Sequence, residues 1–317
     1  MDSCLVGSEM CIRDRRYESY HRKEDKIPFD LEFFDKITKG GIPNKTLNIA
    51  LAGTGVGKSL FMCHFASSVL LQGKNVLYIT LEMAEEKIAE RIDANLLNIN
   101  IQDITDLPKV MYENKVTSVS KKTQGSLIIK EYPTAAAHSG HFKALLNELA
   151  LKKSFRPDII FIDYLNICAS SRYRTNNNVN SYSYIKAIAE ELRGLAVEAN
   201  LPIVSATQTT RSGFASSDVD LTDTSESFGL PATADLMFAL ISTEELEELN
   251  QIMVKQLKNR YNDPTINKRF VIGIDRAKMR LYDCEQKAQN DIVDSGQDEE
   301  YNEKESKLKK SFAEFKF

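Results

Sequence analysis

Long apolar runs are missing from this chain. No stretch of its 317 residues approaches the roughly 20 consecutive apolar residues of a membrane-spanning helix. No charged-then-apolar leader opens it. Cysteine is scarce: the five present form no C-x-x-C pair and no metal-ligand spacing. That points away from a zinc site or a disulfide framework and toward a reduced, cytosolic-type protein. Histidine is scarcer still, at four. His138 and His141 stand three apart, but no Cys or carboxylate cluster joins them, so they read as a solvated helix start rather than a metal site. Positive charge is not in excess either. Lys and Arg number 41 against 45 Asp and Glu, a net −4, which excludes a uniformly basic nucleic-acid coat but leaves room for a local basic channel.

What the chain does have is core-forming sequence. Hydrophobic residues make up 42%, enough for one large α/β domain or two modest ones. Residues 1–15 have no periodicity and read as a non-native extension, excluded from the fold. Residues 16–27 are highly charged and read as a linker or arm. A domain then runs over 28–283, opening with a short amphipathic helix at 28–37. The tail, 284–317, is polar and is expected to be disordered. Aromatics among lysines at its end fit either a partner-binding peptide or a flexible end with no role.

Between 47 and 207 apolar strand patterns alternate with helical ones. Strands are expected at 47–51, 75–80, 126–130, 158–163 and 202–207, with helices at 60–71, 84–97, 106–123, 139–153 and 181–199. The order predicts a mostly parallel twisted sheet flanked by helices. Beyond 234, the segments 236–241, 252–257 and 269–274 read as antiparallel additions at the edge of that sheet.

The first strand runs into Ala52-Gly53-Thr54-Gly55-Val56-Gly57-Lys58-Ser59-Leu60. Strand, glycine-rich loop, Lys-Ser and helix make a phosphate-binding loop. Its backbone N–H groups and the helix N-terminus converge on an anion. Lys58 supplies a mobile charge for the outer phosphates of ATP, and the Ser59 hydroxyl can ligate Mg²⁺. Ala52 replaces the first glycine of the usual pattern.

Four further clusters, the last holding Lys258 and Arg260, stand at strand ends on the side where open α/β sheets bind ligands. Asp163 tips a continuous apolar run and is the candidate second Mg²⁺ group. Glu82 follows the strand after the phosphate-loop helix. It is either the base for the attacking water or a helix-start carboxylate. Gln208 can sense the γ-phosphate. The loops after Asp163 and Gln208 are long and polar. Arg172, Arg174, Asn177, Arg211 and Ser212 make them candidate contacts to a nucleic-acid backbone. Lys258 and Arg260 precede a turn. They read either as a basic finger for a neighbouring active site or as a solvated basic turn.

In order and spacing, Leu81-Glu82-Met83, Ile162-Asp163-Tyr164-Leu165, the helix at 185–196, Thr207-Gln208 and Lys258-Asn259-Arg260-Tyr261-Asn262 resemble the motifs of DnaB-superfamily hexameric replicative helicases. Those motifs read S-L-E-M, I-D-Y-L, L-K-x-L-A-x-E, S-Q and K-x-R-N-G. The stretches 26–30 and 40–45 are similar to phage members. The resemblance covers about residues 26–283 and implies a RecA-like P-loop NTPase motor using ATP and Mg²⁺. It implies a homo-oligomeric ring of six that moves 5′ to 3′ on single-stranded DNA, with primase and a helicase loader as partners. The location implied is the cytoplasm of a phage-infected bacterium. Glu82 becomes the catalytic base, and Lys58, Ser59 and Asp163 belong to the same subunit. Arg260 and Lys258 are supplied by the next one. Two departures stand out: Tyr261-Asn262-Asp263 replaces Asn-Gly, and the N-terminal collar domain is absent from this sequence. A strand-exchange ATPase of the RecA type and a regulatory P-loop scaffold that ignores DNA are the competing readings.

Overall fold

The computed structural model describes residues 25–121, 123–173, 180–209, 229–284 and 289. A nine-stranded sheet organises them. In chain order its strands are β3 (Leu47–Ala52), β4 (Val76–Thr80), β5 (Leu127–Glu131), β6 (Ile159–Asp163), β7 (Ile203–Gln208), β8 (Leu236–Ile241), β9 (Gln251–Asn259), β10 (Arg269–Asp275) and β11 (Arg280–Asp283). Across the sheet they lie in the order β11-β10-β9-β8-β3-β7-β6-β4-β5. Pairings from β8 to β5 are parallel and those from β8 to β11 antiparallel.

The central strands are apolar on both faces because both faces are covered. In β3, Leu47, Ile49 and Leu51 enter one core while Ala50 and Ala52 enter the other. One core lies under α1 (Glu32–Thr38), α2 (Lys58–Leu71) and α3 (Glu85–Leu97). It is rich in aromatic contacts: Phe34 meets Phe238 edge-on at 5.0 Å, and Phe29 stacks on Phe65 at 4.3 Å. The other lies under α6 (Ser139–Lys153) and α7 (Ser181–Ala199). Between them in chain order come α4 (Ile101–Ile104) and α5 (Lys109–Ser120); α8 (Gly229–Thr233) and α9 (Glu244–Glu248) are single turns. Helix α2 is apolar nearly all round and is buried along almost its whole length.

The chain enters through a two-stranded ribbon, β1 (Lys26–Ile27) with β2 (Ile42–Pro43). Gly41, at φ +117°, closes it: a Cβ there would lie 2.2 Å from the Ile27 carbonyl oxygen. The N-terminus of α1 is held by the end of β11, since the Glu32 N–H donates to Asp283 Oδ1 at 2.9 Å.

Four sequence expectations shift. Strand β8 is parallel and sits directly beside β3, not at an antiparallel edge. The reason is in its residues: all six of Leu236–Ile241 are apolar and buried, which only a central strand requires. The expected helix at 106–123 is present as Lys109–Ser120; it starts three residues late because Pro108 stands at its N-cap. The opening helix starts four residues later than the 28–37 pattern suggested, because Asp30 takes a left-handed φ of 61° and Leu31 is extended. Strand β11 had no sequence signal beyond a short alternation.

His138 caps α6: its Nδ1 accepts from the Gly140 N–H at 3.0 Å, and His141 Nδ1 accepts from the His138 N–H at 3.2 Å. Beyond Cys284 only Gln289 is described. Its amide bonds to both backbone groups of Val271, extending the edge of β10. Among the described residues no helix is long and apolar enough to cross a membrane.

Candidate nucleotide site

Strand β3 ends at Ala52, the loop 53–57 turns, and α2 begins at Lys58. Gly57 holds φ +134°, where an L side chain is strained, and a Cβ there would stand 3.6 Å from Ile252 Cδ1 and 3.8 Å from Ile274 Cδ1, in ordinary contact. The conformation, not lack of space, demands glycine here. Strands β9 and β10 therefore form the wall behind the loop. Thr54 and Gly55 form its exposed tip, Val56 packs against the core and Leu60 is buried. Lys58 is buried and folds back on its own loop, donating to the Ala52 and Gly53 carbonyls at 3.3 and 3.1 Å. An incoming phosphate exchanges those weak acceptors for charged ones.

Strand register brings the other groups to the same end of the sheet. Gln208 pairs opposite Ala52, and Asp163 opposite Thr80. Glu82 stands two residues past Thr80, exposed, on a turn that Thr80 fixes: its hydroxyl donates to the Met83 carbonyl at 2.8 Å and accepts from the Met83 N–H at 3.1 Å. Gln208 Nε2 donates to the Tyr164 hydroxyl at 3.2 Å, so the tips of β7 and β6 are linked. Helix α3 starts only at Glu85, so Glu82 is not a helix-start residue.

Asp163 is fully buried. Tyr78 donates to its Oδ2 at 3.0 Å, whereas Oδ1 has no hydrogen-bond partner. Burial pushes its carboxyl pKa up, against the pull of Ser59 and Tyr78. Burial likewise lowers the Lys58 pKa, while the charges of Glu82 and Asp163 raise it. A buried carboxylate oxygen left without a donor, close to a serine hydroxyl and facing a phosphate loop, fits a hydrated Mg²⁺.

Arg260 and Lys258 are elsewhere. Arg260 Nη1 meets Asp235 Oδ1 at 2.7 Å, and its Nη2 donates to the Ala232 carbonyl at 3.3 Å. Lys258 donates to the Pro231 and Ala232 carbonyls. Asp235 precedes β8 and pairs with Leu47, the first residue of β3. The two cations thus lie at the opposite end of the parallel strands from the phosphate loop. Six residues of β3 intervene, about 20 Å. They cannot reach the nucleotide of their own chain.

Of the candidate nucleic-acid contacts, Arg174, Asn177, Arg211 and Ser212 lie outside the described residues. Arg172 stands at the root of the loop after β6, its guanidinium on Glu190. Its backbone N–H, with those of Ser171 and the Ser170 hydroxyl, converges on the Glu191 carboxylate.

The sequence reading missed four residues. Tyr78 faces inward from β4 onto Asp163, and a tyrosine in an apolar strand was its only signal. Arg276 Nη1 donates to the Gly55 carbonyl at 3.2 Å from the turn after β10. Arg193 and Asp235 pair across 42 residues, with no local signal.

Comparison with known proteins identifies the family. The DnaB-like helicase C-terminal domain family matches residues 27–276. The DnaB-like replicative helicase of Enterobacteria phage T4 is 46% identical over 288 residues, 90% of this chain and 60% of that protein. The replicative DNA helicase DnaB of Helicobacter pylori strain 26695 is 27% identical over 218 residues, 68% of this chain and 43% of that protein. The chain therefore spans about half of these relatives' lengths. Among solved structures, the ATPase domain of G40P superposes with a TM-score of 0.71 at 18% identity, covering 88% of this chain and 99% of that one. A DnaB-like replicative helicase, solved in a study of its interactions with primase, gives 0.70 at 18% identity, covering 90% and 67%. The fold is RecA-like, and the chain belongs to the family of DnaB-like helicase C-terminal domains.

Proposed function

We propose that this chain is the ATP-hydrolysing motor of a replicative DNA helicase, moving 5′ to 3′ on single-stranded DNA in a ring of six copies. The observation that carries this reading is the separation of Lys58, Ser59, Glu82, Asp163 and Gln208 at one end of the sheet from Arg260 and Lys258 at the other. A nucleotide bound by one copy meets the cations of the next. Sites completed this way couple hydrolysis to movement between subunits.

Lys58 binds the outer phosphates. Glu82, free of a helix and exposed, orients the attacking water and takes its proton. Ser59 and Asp163 hold Mg²⁺, which neutralises phosphate charge when bound. Gln208, bonded to Tyr164 at the tip of β6, passes loss of the γ-phosphate to the loops after β6 and β7, where DNA phosphates are gripped. Primase and a helicase loader are the expected protein partners. The likeness to a phage T4 helicase supports, as the site of this work, the cytoplasm of a phage-infected bacterium.

The test is ATP turnover across protein concentrations, with and without single-stranded DNA. Turnover per subunit that climbs with both is expected. Turnover indifferent to both overturns the reading in favour of a self-contained ATPase.

A further inference from the structure

Asp235 gathers more positive charge than one carboxylate balances. It is buried, with 4% of its side chain exposed. Its Oδ2 accepts from the Leu47 N–H at 3.0 Å and from Arg193 Nε at 3.1 Å. Its Oδ1 accepts from Arg193 Nη2 at 3.0 Å and from Arg260 Nη1 at 2.7 Å. Arg193 is thus bidentate, through both oxygens, while Arg260 holds one oxygen only. Arg193 and Arg260 line one open cavity of about 510 Å³ with Glu190, Glu198 and Thr233.

A buried carboxylate stripped of its partner is strongly unfavourable, whereas one that keeps a bidentate guanidinium is not. We infer that Arg193 is a positioning residue: by neutralising Asp235 on its own, it lets Arg260 leave that carboxylate for the phosphates of a neighbouring copy. This rests on the trans role of Arg260 proposed above. Without Arg193, Arg260 becomes the sole cation bonded to Asp235 among the described residues, and is retained there. The structure thus assigns to Asp235 a parking place for the finger, and to Arg193 the counter-ion that makes departure possible.

The retention is measurable on the unassembled chain. Phenylglyoxal modifies accessible guanidinium groups, and the rate at Arg260 is read peptide by peptide by mass spectrometry. Arg193→Gln is expected to slow modification of Arg260 by roughly tenfold, the size of one charge-assisted hydrogen bond. Arg193→Lys, which keeps the charge, should fall between. Asp235→Asn added to Arg193→Gln removes the retaining charge and should return the rate to at least the wild-type value. A mere loss of packing would not be reversed by a second substitution. In assembled protein the same series should lower, then recover, kcat for ATP with KM unchanged. An unchanged or faster Arg260 reaction in Arg193→Gln overturns the inference, as does failure of the double variant to recover. If Arg260→Ala leaves turnover intact, the trans role itself fails, whatever the labelling shows.

Discussion

Glu82 and Asp163 share one end of the sheet yet live in different surroundings. Glu82 is exposed and Asp163 is fully buried. That division suits a base that meets water and a carboxylate that holds a metal's hydration shell. Glu82→Gln is therefore expected to cut kcat at least about 100-fold while leaving nucleotide affinity near wild type. Single-turnover hydrolysis beside fluorescent-nucleotide binding checks both halves. His64 offers a pH test. Burial, helped by the charge of Arg280, lowers its pKa to about 4 from 6.5. The folded state thus binds fewer protons than the unfolded one between those values. Its stabilising share is complete above about pH 6.5 and is lost as pH falls toward 4, by about 3 kcal/mol. His64→Gln should flatten the unfolding free energy over that window in denaturant titrations; an unaltered slope contradicts it. At this scale the sequence was legible where chemistry is contiguous. Lys58 and Ser59 announce themselves beside glycines, and Asp163 and Gln208 as polar tips on buried strands. Asp235 and Arg193 were not legible, because their meaning lies in pairing across 42 residues.

Elements carry the phosphate loop's support. The loop is cradled from behind by β9 and β10, through Ile252 and Ile274 beside Gly57. The turn after β10 is then pinned to the first core: Asn95 on α3 donates to the Met279 carbonyl at 2.6 Å and contacts His64 on α2. Ile274→Ala should cost about 2–4 kcal/mol of stability and raise KM for ATP more than it lowers kcat, because the wall behind Gly57 is lost. Thermal unfolding with steady-state kinetics measures both. An unchanged KM removes the hairpin from the nucleotide site. Most elements followed from apolar period and turn residues. The largest departure is β8: its six apolar residues suit a central strand, and the 27 residues between Gln208 and Leu236 are enough in number for the crossover that a parallel strand needs.

For the whole molecule, the decisive feature is polarity. One end of the parallel sheet holds the phosphate loop and its carboxylates, and the other holds Lys258, Arg260 and the Asp235 pair. A closed copy of this chain cannot bring them together without unravelling β3. Head-to-tail assembly does so without deforming either end, and such heterologous contacts close into rings when the rotation permits. The measurement that tests this most directly mixes two inactive variants. Lys58→Ala keeps its finger and loses its nucleotide site; Arg260→Ala does the reverse. Each alone should be nearly inert. Mixed one to one at assembling concentrations, about one site in four should combine an intact phosphate loop with an intact neighbouring Arg260, and ATP turnover should reappear in that proportion. No recovery at any mixing ratio would contradict sites completed between subunits.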